Sequence, residues 1–142
     1  MSIKQISVIL DEQSGTLSEM TKVLADKNVE MRALTFHEAG NFSVARIIVD
    51  NVLWTASHLK TLGYPATFTE VVAVSIFNSS NEFCHVLEVI KDAGINVEYA
   101  YSLPMRGASV GIVFEVDNAE KASEVLTDAG IKVITQDELS AL

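Results

Sequence analysis

Apolar and polar positions alternate along residues 3–10, where Ile3, Ile6, Val8 and Leu10 are interleaved with Lys4, Gln5 and Ser7. That is the period of a β-strand. Residues 11–16 break the alternation, and from Leu17 the apolar side chains Leu17, Met20, Val23 and Leu24 recur at three and four. This stripe predicts an amphipathic helix over 17–28 with Asn28 as its stop. Alternation returns over 29–37, residues 38–41 have the length and glycine of a hairpin loop, and 42–49 predict another strand. A second helix is expected over 52–62, ended by Gly63, and a strand over 64–70.

The same order then begins again without a linker. Residues 71–77 predict a strand, 78–82 a loop, and 83–93 a helix with Phe83, Val86, Leu87 and Ile90 on one face and Gly94 as its cap. Strands are expected over 95–102 and 109–116 around the loop 103–108, then a helix over 119–129 closed by Gly130, a strand over 132–135 and a short tail over 137–142. Corresponding positions lie about 66 residues apart: Leu17 with Phe83, Met20 with Val86, Leu24 with Ile90, and Val29-Glu30-Met31 with Ile95-Asn96-Val97. The expected fold class is α+β, two tandem ferredoxin-like βαββαβ modules with antiparallel sheets, divided as 1–70 and 71–142. Modules this small are marginal alone, so the two are expected to pack together. A duplication also brings equivalent loops near one interface, a place to hold a small molecule rather than to perform chemistry.

Composition narrows the function classes. The net charge is −9, with six basic and eight acidic residues over 1–70 and four and eleven over 71–142. An acidic chain repels phosphate backbones, which argues against nucleic acid as a partner. No apolar run approaches the roughly 18 residues of a membrane span. The start Met1-Ser2-Ile3-Lys4 enters a strand without the layout of a secretion signal, so a cytoplasmic protein is expected. Cys84 is the one cysteine, and is expected in the core or at its boundary. His37, His58 and His85 have no metal-ligand spacing. Neither a cofactor nor a metal is expected, and no nucleophile–base pair suggests an enzyme.

The strand-to-helix loops are the most informative local feature. In the first, Gly15 permits a left-handed turn beside the N–H groups of a helix start, which suits a carboxylate as well as an ordinary cap. Asn81 is its counterpart in the second, as another residue tolerant of positive φ. Asp11-Glu12-Gln13-Ser14-Gly15-Thr16-Leu17, followed by Met20 and Asn28-Val29-Glu30-Met31, resembles the start of an ACT domain, and Asp92-Ala93-Gly94-Ile95-Asn96-Val97 resembles the same family in the second half. With Tyr99-Ala100-Tyr101 and the ending Ala129-Gly130-Ile131-Lys132-Val133-Ile134, the whole chain is similar to stand-alone tandem ACT proteins of bacteria.

That resemblance implies a regulatory, amino-acid-sensing module, in which the loop of one copy and the start of the second strand of its neighbour grip a free amino acid. It implies ligand-binding positions at Glu12, Gln13, Ser14, Gly15, Thr16, Leu17 and Glu30 in the first copy. In the second they are Asn78, Ser80, Asn81, Glu82, Phe83 and Asn96. The family's paired asparagines match at Asn78 and Asn96 and are Glu12 and Glu30 in the first copy, while Ser14 and Ser80 replace its proline and Asn81 its glycine. On their residues alone, Asn78 also reads as a turn residue and Asn96 as a strand-edge amide. Two unequal sites, or one working site and one relic, are therefore expected, with a homodimer and a regulated enzyme or regulator protein as partners. A structural or protein-interaction module without a working site is the alternative.

Overall fold

Period-two strands and period-3.6 helices sort the apolar side chains of the chain onto facing surfaces. The computed structural model describes residues 2–11, 15–77 and 79–142. Its elements run β1 (Ile3–Leu10), α1 (Leu17–Asp26), β2 (Met31–Ala39), β3 (Phe42–Val49), α2 (Val52–Thr61), β4 (Ala66–Phe77), α3 (Ser80–Asp92), β5 (Val97–Leu103), β6 (Ser109–Val116), α4 (Ala119–Asp128), β7 (Lys132–Val133) and α5 (Gln136–Leu139). The chain divides into two compact units, Lys4–Thr69 and a second made of Met1–Ile3 with Glu70–Leu142. The first has strand order β2-β3-β1-β4 and the second β5-β6-β4-β7, so each is a βαββαβ module with one topology.

In the first module Ile6, Val8 and Leu10 of β1 meet Met20 and Leu24 of α1 and Ala56 and Leu59 of α2 in one core. Val72, Val74 and Ile76 of β4 meet Val86 and Ile90 of α3 and Leu126 of α4 in the other. The repeat is not of uniform length. Met31 and Val97 are 66 residues apart, but their cross-strand partners Val49 and Val116 are 67 apart, because the second hairpin as a whole is one residue longer.

Several elements differ from the sequence reading. The strands expected over 64–70 and 71–77 are one twelve-residue strand, β4, since nothing between Glu70 and Val71 supplies turn chemistry. Val71, Val72, Ala73 and Val74 are fully buried, which accounts for the unbroken apolar run there. Helix α3 starts at Ser80 instead of residue 83, because the Ser79 hydroxyl caps it by accepting from the Glu82 N–H at 3.1 Å. The tail contains a turn of helix, α5, closed by a reciprocal capping box between Thr135 and Glu138 and anchored by buried Leu139. The stop at Asn28 is observed, with φ of 56°.

The faces of β5 also differ. Strict alternation groups Val97 with Tyr99 and Tyr101, but a β-bulge at Glu98 shifts the register: Val97 pairs with Val116 and Tyr99 with Glu115. One extra residue turns everything after it to the opposite face. Val97, Ala100 and Ser102 therefore face the helices, beside Val116, Phe114 and Ile112, and Tyr99, Tyr101 and Leu103 face away. A matching bulge at Arg32 in β2 puts Leu34 and Phe36 on the helix-facing side beside Ile47 and Ala45.

Candidate functional site

In the first module the loop before α1 folds onto itself. The Gly15 N–H donates to the Asp11 carbonyl at 3.1 Å, and the Thr16 hydroxyl accepts from the Glu19 N–H at 3.2 Å. Gly15 has φ of 124°, and a Cβ there would lie 2.9 Å from Glu19 Oε2 and 3.0 Å from the Tyr64 hydroxyl. The close approach that glycine allows is thus taken up by the protein's own Tyr64 and Glu19. Burial, and then the Glu19 charge, raises the Tyr64 phenol above its ordinary range. Gly15→Ala is expected to cost about 1–2 kcal/mol from its positive φ, the two side chains being able to swing aside; urea unfolding of the variant measures it. Gly15, Thr16 and Leu17 line a cavity of about 330 Å³ with Phe36, Glu38 and Phe42.

Glu30 is not in that cavity. It lies past the other end of α1, whose ten residues span about 15 Å, and lines a separate hollow with Asn28, Asp50 and Trp54. Beside it the bulged Arg32 makes a two-pronged pair with Asp50, Nε to Oδ1 at 2.9 Å and Nη2 to Oδ2 at 2.8 Å. The Arg32 hydrogen bonds hold the Asp50 carboxyl below its usual range. A carboxylate depressed on folding stabilises above its unfolded pKa of about 4 and loses that contribution as pH falls through its lower folded value. Asp50→Asn should therefore lower stability by a constant amount between pH 5 and 8, with the gap to the parent closing below about pH 4 in urea titrations.

In the second module the predicted positions are again dispersed. Asn81 is helical, in the first turn of α3, and does not take the positive φ expected of it. Ser80 and Phe83 line a cavity of about 480 Å³ with Ile76, Leu87 and Ile112. Glu82 turns to a different hollow, with His85 and Lys132. Asn96 is at the far end of α3, where its N–H donates to Asp117 Oδ1 at 3.1 Å and its carbonyl accepts from the Asp117 N–H at 3.3 Å. Glu12, Gln13, Ser14 and Asn78 lie outside the described residues. In each module the loop positions and the second-strand position sit at opposite ends of the first helix.

The N–H groups of Leu17 and Ser18 in α1, and of Ser80 and Asn81 in α3, precede the first intrahelical bonds, Met20 to Thr16 and Phe83 to Ser79. Each of those two helix starts offers free N–H groups to an anion. Cys84, expected near the core, is exposed, and the Glu88 charge and hydrogen bond push its thiol up, away from the reactive thiolate. Trp54 is 43% exposed and stacks on His58 at 4.8 Å. His37 Nδ1 accepts from Arg46 Nη1 at 3.1 Å. Among the described residues no three His, Cys, Asp or Glu side chains cluster as metal ligands, and no helix is long and apolar enough to cross a membrane.

Two modules of one topology, each presenting the start of its first helix on a cavity, define a tandem ferredoxin-like protein with ligand-sized hollows. The chain belongs to the ACT domain pair family, which matches residues 1–142. The chain is similar to the crystal structure of protein BT0572 from Bacteroides thetaiotaomicron, at 30% identity and a TM-score of 0.90 over 100% of this chain and 98% of that one. The fold is shared with the regulatory subunit of aspartate kinase from Thermus thermophilus, at 17% identity, TM-score 0.61, and 89% and 91% coverage. It is shared also with part of E. coli aspartokinase III, at 19% identity and TM-score 0.55, covering 88% of this chain and 30% of that enzyme. Among curated proteins none matches.

Proposed function

We propose that this ACT pair is a non-enzymatic sensor of a free amino acid, with the second module's site as the working one. The observation that carries this reading is the 480 Å³ cavity that starts at Ser79 and Ser80, where a helix start meets apolar walls. There the N–H groups of Ser80 and Asn81 take the α-carboxylate, with Phe83 beside it. Asn78 and Asn96 take the polar groups, each site being completed by the second-strand start of a neighbouring module, because loop and strand start lie a helix length apart within one module. The counterpart at Gly15, Thr16, Leu17 and Glu30, with Glu12, Gln13 and Ser14, is the relic, its glycine niche occupied by Tyr64 and Glu19. A homodimer supplies the neighbouring modules, and the regulated partner is a cytoplasmic enzyme or regulator whose contact surface differs between the free and loaded states.

Thermal unfolding of the full chain against each of the twenty amino acids tests the proposal. A ligand at 100 times its Kd stabilises by about 2.7 kcal/mol, which is a rise of roughly 6–10 °C for a chain of this size. Absence of any shift at millimolar amino acid rules the sensor out and leaves a protein-interaction module. Asn96→Ala is expected to weaken the ligand found; unchanged affinity removes Asn96 from the site while the family membership stands.

A further inference from the structure

The two modules differ along the flank of the first helix. In the first module the helix-facing side of β2 carries Leu34 and Phe36, and Phe36 lines the smaller 330 Å³ cavity. In the second, the bulge in β5 brings Ala100 and Ser102 to the equivalent positions, opposite Phe114 and Ile112. Phe36 lines its module's cavity, whereas Ser102, beside the groove residue Ile112, is too small to reach across the flank of α3. The resulting groove, about 480 Å³, is walled by Ile76 of β4, Val110 and Ile112 of β6, and Phe83 and Leu87 of α3. Its volume falls within the range of small-molecule sites, about 300–1,000 Å³. Its polar groups stand at the two ends, Ser79 and Ser80 where α3 begins and Glu88 and Lys91 further along the helix. Because α3 has 13 residues against 10 in α1, the helix start reaches the mouth of this groove.

We infer that the second module's site selects amino acids with a large apolar side chain, such as leucine, isoleucine or phenylalanine, whose side chain lies in the groove between α3 and β6. This rests on the amino-acid-sensing reading and adds the ligand class to it. With the α-carboxylate at Ser80, the side chain points along Phe83 and Leu87 onto Ile112, and each methylene it buries removes apolar surface from water on both partners. An aspartate side chain in the same place would set a carboxylate against apolar walls with Glu88 as the nearest charged neighbour along α3. A lysine ammonium would meet Lys91 as well as Glu88, and glycine or alanine would leave the groove unfilled.

Calorimetric titration of the full chain with leucine, isoleucine, phenylalanine, aspartate, lysine, threonine and alanine decides the matter. The apolar group is expected to bind at least tenfold more tightly than aspartate, lysine or alanine. Ser102→Phe restores the aromatic that the first module carries at Phe36, on an exposed strand position outside the core, and is expected to weaken the apolar ligands at least tenfold. Leu87→Ala, on the exposed rim, should weaken them severalfold with the fold intact by circular dichroism. Tightest binding of aspartate, lysine or alanine, or leucine affinity unchanged in both variants, overturns the ligand class and leaves the sensor standing. Failure of every amino acid to bind overturns both.

Discussion

Phe114→Ala is expected to cost about 3–5 kcal/mol, the largest loss that a single side chain of this protein should show. Phe114 is fully buried in the second module's core and meets Phe83 edge to face, with ring centroids 6.4 Å apart and planes at 74°. Truncation removes the ring's transfer energy and leaves a cavity beneath α3 that flanking strands can close only in part. Native domains are stable by about 5–15 kcal/mol, so the loss is a large share of what holds the module. Urea unfolding monitored by far-ultraviolet circular dichroism measures it, and a cost under 1 kcal/mol would mean that the core refills the space. The second effect is on ligand. Phe83 forms one wall of the groove and rests on the ring that has been removed, so any amino acid bound there should weaken in the same variant.

That link between core and groove shows what was legible in the sequence and what was not. The two modules and the cores on Met20, Leu24, Val86 and Ile90 follow from hydrophobic period, because burial on one face writes a period into the chain, whereas the ACT resemblance rests on loop motifs such as Asp11–Leu17 and Asp92–Val97. The helix starts were legible too, but from a different signal. Thr16 with Glu19, Ser79 with Glu82, and Thr135 with Glu138 each spell the Ser/Thr-x-x-Glu cap, and the second and third of these mark the early start of α3 and the unforeseen α5. The groove was hidden for a physical reason. Its walls, Ile76, Val110 and Ile112, read as ordinary core, and its openness depends on Ala100 and Ser102 facing the helices, which strict alternation denies. Only the bulge at Glu98 reverses that assignment, and its one sequence trace is the charged residue after Val97, matched by Arg32 after Met31. Nor does local pattern report the distance along α1 or α3 that separates loop from second strand. It is a property of the fold, and it is the reason the proposed site draws on a neighbouring module.

Gly111→Ala should be the next most damaging change, at about 2–4 kcal/mol, although it adds a single methyl group. Gly111 pairs with Leu103 at the end of the β5–β6 ladder, and a Cβ on it would lie 2.5 Å from the Leu103 carbonyl oxygen, 2.9 Å from Leu103 Cβ and 3.1 Å from Met105 Cγ. The nearest of these is backbone held in a sheet, which cannot rotate aside as a long side chain can. Leu103 is itself fully buried, so the strand cannot shift outward without opening the face it seals. Relief would have to come from breaking the last rungs of the ladder, next to the loop of 104–108. The source of the strain can be separated by a double-mutant cycle with Met105→Ala. If the carbonyl is what the methyl strikes, the two costs add and the cycle shows coupling below about 0.5 kcal/mol. A large favourable coupling would instead place the clash on Met105, and the expected cost of Gly111→Ala would then fall toward that of a side-chain rearrangement, about 1 kcal/mol.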